Sequence, residues 1–492
     1  MFKKQKKLII ILAVCAVFLT CMYFFVVSPL IAKWTAVEEV LPELLPGEVL
    51  GTNNRILMFE HVEKAGMQEI EVHNSYGSYT FYRGADDNFY IRDLNNTPYS
   101  LAALSSLVVS SGYTLSLTRV TTDCTDWAQY GLDAASEPAW YQITTLDGTK
   151  HKVNIGSLIP TGGGYYCSYE GRNAVYVLDS SIADTLLAPV TNLITPVLAI
   201  PLATNDYFTV RDFFLLHGED YVIWVDYVAD GIELDAPNTT CYEMKYPGKY
   251  IPSGGYETML QTFTNFQGML TLEAGSDENP LSDEVLEKYG LLEPAYTVHY
   301  KYNDVDNYTF FSELNEDGYY YAYSLNFNLI ARVDPSKVEF LTWDLIDYVD
   351  YSTFMLNIND IATIELISDD YSETFTLEGE GTDIKITPAS TGKTFGEADV
   401  KNFRQFYKTL LSIKLEGYAD STSTDELLLT LRYTTDTGKV WEFKFYPYST
   451  RRCFYTVNGN GEFYVLRDIL DKAISDSRRV VEGLTVDSWA KN

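Results

Sequence analysis

The pattern of apolar and polar residues divides the chain into an N-terminal uncharged segment and a long body of short alternating stretches. Residues 8–32 carry no charge, and twenty helical residues span roughly 30 Å, the thickness of the hydrocarbon core of a bilayer. The preceding residues 1–7 contain four lysines, which favours a cytoplasmic N-terminus. The pattern therefore predicts a single transmembrane helix over residues 8–32, with the C-terminal body of the chain outside the cell membrane.

A cleaved signal peptide and a lipidated cysteine are the two alternatives for this segment. Signal peptides end in small residues at the cleavage site, whereas residues 22–25 are Met-Tyr-Phe-Phe. A lipidated cysteine needs small residues before it, but Cys21 follows Phe18, Leu19 and Thr20. Both alternatives are disfavoured, and we expect an uncleaved anchor.

After an acidic, proline-containing linker at residues 33–50, the alternating pattern recurs along the chain. Ile70 is followed by Phe81, and Ile364 is followed by Phe375 at the same spacing. Alternation of apolar and polar residues between short polar breaks is typical of half-buried antiparallel strands. We therefore expect Ile70 and Ile364 to occupy equivalent places in repeated units.

An amphipathic helix is predicted after each group of strands. In the first repeat Thr97 is the expected N-cap and Gly112 the expected end. In the third repeat Thr394 and Glu397 have the spacing of a capping box. The expected apolar faces contain Leu101, Leu104, Leu107 and Val108 in the first helix, Met259, Leu260, Phe263 and Phe266 in the second, and Val400, Phe403, Phe406, Leu410 and Leu411 in the third.

The second half of the unit also recurs. The tripeptide Tyr130-Gly131-Leu132 returns as Tyr289-Gly290-Leu291, and strands at residues 175–178, 330–333 and 463–466 each precede a predicted helix. The sequence predicts a mainly antiparallel α+β fold. Its expected organisation is a cytoplasmic segment (1–7), the anchor (8–32), the linker (33–50) and three repeats (51–203, 204–356 and 357–492).

Composition narrows the possible functions. Hydrophobic residues make up 46% of the chain, which is too many for a disordered protein. The net charge is −32, from 36 basic and 68 acidic residues. A surface this acidic repels phosphate backbones, so we exclude nucleic-acid binding.

These motifs resemble those of the bacterial family of unknown function DUF4340. The resemblance rests on the N-terminal anchor, on Tyr130-Gly131-Leu132, on residues 155–166 with their three glycines, and on residues 175–181. It is strongest over about residues 60–195 and extends by repetition to the C-terminus. The resemblance implies an accessory role in the cell envelope, because members are often associated with ABC-type export systems, including those linked to gliding motility. It supplies no functional residues to carry over.

The sequence contains no recognisable catalytic motif. Gly162, Gly163 and Gly164 are followed by tyrosines instead of the Lys-Ser/Thr of a phosphate-binding loop, which favours a hairpin turn. Asp304, Asp306 and Asn307 lack the remaining ligands of a calcium loop. The five histidines (His61, His73, His151, His217 and His299) are not at metal-binding helical spacing. We predict no catalytic, cofactor-binding or metal-binding residues and no enzymatic activity, with weak calcium binding at acidic turns left open.

Two aromatic clusters and four cysteines leave alternatives open. The clusters, Tyr319–Tyr321 with Tyr323 and Phe445-Tyr446 with Tyr448, are expected in strands because aromatic residues favour pleated surfaces; a glycan-binding platform is the alternative. Cys124, Cys167, Cys241 and Cys453 allow three disulfide pairings, and the sequence does not choose among them.

Two function classes remain. The first is a non-catalytic, membrane-anchored envelope protein that acts as an accessory subunit of an ABC-type transport system, with an integral-membrane permease as its partner. The alternative is a surface protein that binds a ligand or glycan.

Overall fold

The computed structural model describes residues 14, 16–28, 42–52, 55–94, 97–112, 116–229, 236–420 and 422–487. The cytoplasmic segment at residues 1–7 and much of the predicted anchor and linker lie outside these residues. Residues 16–22 are α-helical and Tyr23–Val27 form a π-helical turn. No helix in the described part of the chain combines the length and the apolar character that a membrane crossing requires.

Three eight-stranded antiparallel sheets and several helices make up the body of the chain, which confirms the α+β class. From edge to edge the first sheet contains Phe89–Ile91, Gly77–Arg83, Met67–Asn74, Ala139–Thr145, Lys150–Leu158, Gly164–Tyr169, Val175–Asp179 and Ser116–Thr121. The second contains Tyr242–Tyr246, Asp220–Tyr227, Arg211–His217, Tyr296–Tyr302, Val305–Phe311, Tyr320–Ser324, Leu329–Val333 and Leu270–Ala274. The third contains Lys385–Pro388, Tyr371–Glu378, Ile361–Ser368, Leu429–Thr435, Val440–Pro447, Arg452–Val457, Phe463–Leu466 and Leu415–Tyr418.

Each sheet has the same strand order. The third and fourth strands of a repeat, in chain order, lie at opposite edges of its sheet, so the segment between them must cross the sheet. That segment contains a helix in every repeat, namely Leu101–Gly112, Gly254–Thr262 and Glu397–Leu411. The other α-helices are Ser180–Leu187, Asp283–Lys288, Leu345–Tyr348 and Arg467–Val481, and a separate pair of strands is Val49–Leu50 with Ile56–Leu57.

Strand register confirms the repeat that the isoleucine–phenylalanine spacing predicted. Ile70 lies opposite Phe81 in the first sheet, and Ile364 lies opposite Phe375 in the third. All four side chains are fully buried. A register shift follows Met67 in the first sheet and Ile361 in the third, at the same distance before the two isoleucines. The two strands therefore match in pairing, burial and irregularity.

The crossing helices hold the apolar residues that cover the sheets. In the third repeat the Phe375 ring lies 5.0 Å from the Phe403 ring and 5.6 Å from the Phe406 ring, centroid to centroid. In the second repeat the Phe263 ring, from the 3-10 turn after the helix, lies 5.3 Å from Tyr300. Full burial of a large apolar side chain contributes about 1.5–3 kcal/mol, so these contacts are a main source of stability in each repeat.

Three predicted helix details are wrong. Leu101 is exposed, because it lies in the first turn, ahead of the buried stripe of Leu104, Leu107 and Val108. Thr97 is not the cap, because its hydroxyl donates to the Gly275 carbonyl; Ser100 instead accepts from the Ala103 N–H. Thr394 makes no capping box, because its hydroxyl bonds Thr387 and the N-cap is Gly396.

The repeated Tyr-Gly-Leu tripeptides form the same turn. The Leu132 N–H donates to the Trp127 carbonyl, and the Leu291 N–H donates to the Leu286 carbonyl. Gly131 and Gly290 have φ values of +67° and +68°, the left-handed region that glycine enters without steric cost. The recurrence is therefore a helix-terminating turn that needs glycine at its centre.

Contacts divide the chain into two compact units: Met1–Phe89 with Ser105–Ala188, and Tyr90–Leu104 with Pro189–Asn492. The second unit contains the second and third sheets, which share one continuous hydrophobic core. Phe354, between these sheets in sequence, packs against Tyr433 at 4.3 Å and Phe443 at 5.9 Å between ring centroids. The boundaries predicted near residues 203 and 356 lie in the sequence between one sheet and the next. That they are domain boundaries stays a prediction.

We predict that Phe354→Ala destabilises the second unit by about 3–5 kcal/mol, because it removes a fully buried ring from the shared core. Tyr351→Ala is the matched control: Tyr351 is 57% exposed, so its loss should change the free energy of unfolding by less than about 0.5 kcal/mol. Denaturant unfolding of both variants measures the difference. Equal effects would show that the buried Phe354 ring contributes no more to the core than an exposed side chain does.

Candidate functional site

An aromatic cleft of about 530 Å³ opens on the second unit. Tyr221 lies in strand Asp220–Tyr227, and Tyr246 ends the neighbouring edge strand Tyr242–Tyr246. Trp343 follows the 3-10 turn Glu339–Thr342. Glu462 comes from the third repeat, immediately before strand Phe463–Leu466. The cleft therefore needs both the second and the third repeats.

Aromatic rings in and beside the cleft contact one another. Tyr221 stacks on Trp224, with a centroid distance of 5.3 Å and an interplanar angle of 12°. Its ring lies 5.8 Å from that of Tyr246. On the other side His217 stacks on Tyr296 at 4.7 Å. Tyr221 and Tyr246 are 38% and 44% exposed, so parts of these rings remain open to a ligand.

The carboxylates Asp344 and Glu462 give the cleft an acidic character. Asp344 and Glu462 line it, and no lysine or arginine is among its lining residues. The Glu462 carboxylate accepts a hydrogen bond from the Tyr250 hydroxyl, which fixes one side of the cleft. Burial and then this hydrogen bond raise the pKa of Tyr250 above its usual range, so the phenol stays a donor at neutral pH.

The second sheet also differs from the other two at equivalent positions of three neighbouring strands. Phe214 lies 4.5 Å from His299 between ring centroids, and His299 lies 4.4 Å from Tyr308. Polar pairs occupy these positions in the other sheets. In the third sheet Arg432 lies between Glu365 and Glu442, at 2.5 and 2.7 Å, and in the first Gln142 donates to Glu71. The second repeat alone has an aromatic strip at these positions.

A second cleft, of about 580 Å³, lies on the first unit, and charged and amide side chains are more numerous in its lining. Asn154 and Ser168 line it and bond each other at 3.3 Å. Arg172 also lines it, but its guanidinium donates to the carbonyls of Met58 and Pro46 and to the Tyr176 hydroxyl. The Arg172 guanidinium therefore already has hydrogen-bond partners within the first unit and serves a structural role there.

Glu48 lies at the centre of the hydrogen-bond network that includes Tyr176. Its side chain is fully buried and accepts from the Arg119 guanidinium at 2.5 Å, the Leu45 N–H at 2.7 Å and the Tyr176 hydroxyl at 2.7 Å. Burial and then the Glu48 hydrogen bond raise the pKa of Tyr176 above its usual range. The C-terminal part of the predicted linker is therefore clamped to the first unit.

The glycines and acidic turns singled out in the sequence have structural roles. Gly162 and Gly163, with φ of +72° and +79°, form the turn between strands Lys150–Leu158 and Gly164–Tyr169, as the sequence context predicted. Asp304 is in the hairpin turn, with a φ of +60°. Asn307 is fully buried, and its side-chain oxygen accepts from the Ile200 N–H. It is therefore turned inwards, away from any shared cation site.

The histidines are dispersed, and several have partners of their own. His299 is buried and contacts the Asp212 carbonyl at 2.9 Å and the Asp306 carboxylate at 3.0 Å. His151 contacts the Tyr169 hydroxyl and stacks on Phe59; burial lowers its pKa. Among the described residues, no group of three or more histidines, cysteines or acidic residues could hold a metal ion.

The two aromatic clusters singled out in the sequence lie mostly in strands, although Tyr319 and Tyr448 lie just outside them. Tyr320, Tyr323, Phe445 and Tyr446 are buried, and Tyr448 is half-buried against Tyr464. The aromatic cleft was missed because its rings come from positions far apart in sequence. The five cysteines that the structure describes are all free thiols, and Cys124, Cys167 and Cys453 are buried.

Residues 91–245 match the family described as Domain of unknown function (DUF4340). The family resemblance inferred from the sequence is therefore confirmed: this chain contains a DUF4340 region, over residues 91–245 instead of the expected 60–195. The match runs from the third strand of the first repeat to the third strand of the second, which is one period of the structural repeat. No curated protein and no solved structure matches the chain.

We predict that Glu48→Gln lowers the stability of the first unit by about 1.5–3 kcal/mol, because Arg119 loses a charge-assisted hydrogen bond. Segment 42–50 should then be cut earlier in limited proteolysis followed by mass spectrometry. Glu43→Gln is the matched control, since Glu43 is exposed and only its backbone carbonyl contacts Arg119. If both variants behave like the unmodified chain, the clamp contributes nothing.

Proposed function

We propose that this chain is a non-catalytic, membrane-anchored protein of the cell envelope, an accessory subunit of an ABC-type transport system. Its repeats lie outside the cytoplasm, and its N-terminus lies inside. The observation that carries the proposal is the uncharged run at residues 8–32 behind four lysines. Such a run is long enough to span a membrane as a helix, and its basic flank sets the orientation of that helix.

The side chains of the described part of this run support the proposal. Phe18, Phe24 and Phe25 are 66%, 64% and 80% exposed, and Val14, Val17 and Leu19 are also exposed. A helix that exposes apolar side chains on all sides is poorly suited to water, because each exposed side chain forgoes the free energy of burial. Lipid, or an integral-membrane partner within it, supplies that burial.

The clamp at Glu48 supports a short tether. With residues 42–50 held against the first unit, only residues 33–41 separate the predicted anchor from that unit. Nine residues extend to at most about 30 Å. A partner in the membrane is therefore within reach of the first repeat, and the shared membrane raises its effective concentration.

Two features favour a protein partner over direct contact with lipid. The net charge is −32 even with the four N-terminal lysines included, and an acidic surface is repelled by anionic head groups. The family resemblance adds the expectation of an ABC-type partner, through the association of its members with export systems. The proposed partner is accordingly the integral-membrane permease of such a system.

Purification of the full-length protein in a mild detergent, through a C-terminal tag on native membranes, should recover an integral-membrane permease. In a variant with Phe18→Arg and Leu19→Arg, each arginine costs about 2.5–3.5 kcal/mol at a helix centre, so both membrane association and the permease should be lost. Recovery of no integral-membrane protein, or of the same protein from the soluble arginine variant, would contradict the proposal.

A conservative variant, Phe18→Leu with Leu19→Val, serves as the control and should retain the permease. Protease added to intact protoplasts tests the orientation in the same preparations. We expect loss of the C-terminal tag while a cytoplasmic marker stays intact; a protected tag would place the repeats in the cytoplasm.

A further inference from the structure

The aromatic cleft of the second unit has the chemistry of a small-ligand site, and its role does not depend on the transport partner proposed above. Its volume of about 530 Å³ lies within the range of about 300–1,000 Å³ that such pockets occupy. Pockets of this kind combine apolar walls with a few convergent polar groups. The cleft has both.

The aromatic side chains of the cleft offer unused hydrogen-bond donors. Within the described residues, neither the hydroxyls of Tyr221 and Tyr246 nor the indole N–H of Trp343 has a hydrogen-bond partner. Tyr221 and Tyr246 are exposed and Trp343 is half-buried, so these donors are open to solvent and to a ligand in the cleft.

Acceptors face the same space. Asp344 and Glu462 are exposed carboxylates that line the cleft. The Tyr250 hydroxyl occupies one oxygen of Glu462, which orients the group and leaves the other oxygen for a ligand. Aromatic faces, free donors and free acceptors therefore occur together.

Charge narrows the class of ligand. With two carboxylates and no lysine or arginine in its lining, the cleft disfavours anions. A simple organic cation would use the aromatic faces and the carboxylates, but it would leave three donors idle. In addition, the Lys245 ammonium already lies 5.5 Å from the centre of the Trp224 ring, on which Tyr221 stacks.

A neutral sugar uses every group. The apolar C–H face of a pyranose stacks on tyrosine or tryptophan, and its hydroxyls both accept from phenol and indole donors and donate to carboxylates. We propose that the cleft formed by Tyr221, Tyr246, Trp343 and Glu462 binds a neutral oligosaccharide. Phe214 and Tyr308, which are half-buried, continue the aromatic surface from Tyr221, whose ring lies 5.7 Å from Phe214. They offer further stacking positions for a longer glycan, while His299 between them is buried.

Calorimetry and tryptophan fluorescence on the full-length protein test this inference. The detergent should have polyoxyethylene head groups, because sugar head groups compete for the site. The probes are cellotetraose and chitotetraose, with tetragalacturonate as an anionic probe and tetramethylammonium as a cationic one. We expect at least one neutral tetrasaccharide to bind and neither ionic probe to do so.

Variants locate the binding. Tyr246→Ala and Trp343→Ala should each weaken binding by about tenfold or more, as aromatic anchors of binding sites do. Tyr246→Phe keeps the stacking face and should lose less. Tyr76→Ala removes a 67% exposed tyrosine of the first unit and should change nothing, and thermal unfolding checks that each variant is folded.

Three results would overturn the inference. The first is the absence of binding by both neutral tetrasaccharides at millimolar concentration. The second is binding that Tyr246→Ala, Trp343→Ala and Tyr246→Phe all leave unchanged. The third is binding of tetramethylammonium in place of the sugars, which would make the cleft a cation site.

Discussion

The position of one strand governs the architecture of every repeat. The third strand of a repeat lies at one edge of its sheet and the fourth lies at the other, seven strand spacings away. At about 4.8 Å per spacing, the chain has to travel roughly 34 Å across the sheet. The helix Glu397–Leu411, fifteen residues long, covers about 22 Å of that path. A helix lying across the strands has to be apolar on the side facing them, which explains the buried stripe of Phe403, Phe406 and Leu410.

Local features of the fold could be predicted because they follow from short-range rules. The spacing from Ile70 to Phe81 encodes a strand, a tight turn and a returning strand, and the register bears this out. The Tyr-Gly-Leu tripeptide encodes a turn because its glycine has to adopt a left-handed conformation. Strand order could not be read in this way, since the pairing of the first strand with the fifth depends on contacts far apart in sequence. The N-cap prediction for the first helix was wrong for a related reason. The Thr97 hydroxyl donates to the carbonyl of Gly275, which is distant in sequence.

The same limit applies to the candidate site. Aromatic runs such as Tyr319–Tyr321 are easily recognised in a sequence. Because successive residues of a strand face opposite sides of the sheet, part of such a run is buried, as Tyr320 is. The exposed rings Tyr221 and Tyr246 are joined by Trp343 and by Glu462 of the next repeat. A site assembled from two repeats follows from their shared core, because that core fixes Glu462 against Tyr250 and holds the cleft at one geometry.

The shared core of the second and third repeats is the central claim of this account, and native-state hydrogen exchange tests it most directly. At increasing denaturant below the unfolding transition, the most protected amides of the second sheet, such as Ile223 and Val298, should exchange with the same opening free energy and denaturant slope as Leu366 and Leu431 of the third. Such agreement would show that the two sheets open together as one cooperative unit. Opening of the third sheet at a lower free energy, while the second stays protected, would contradict the account.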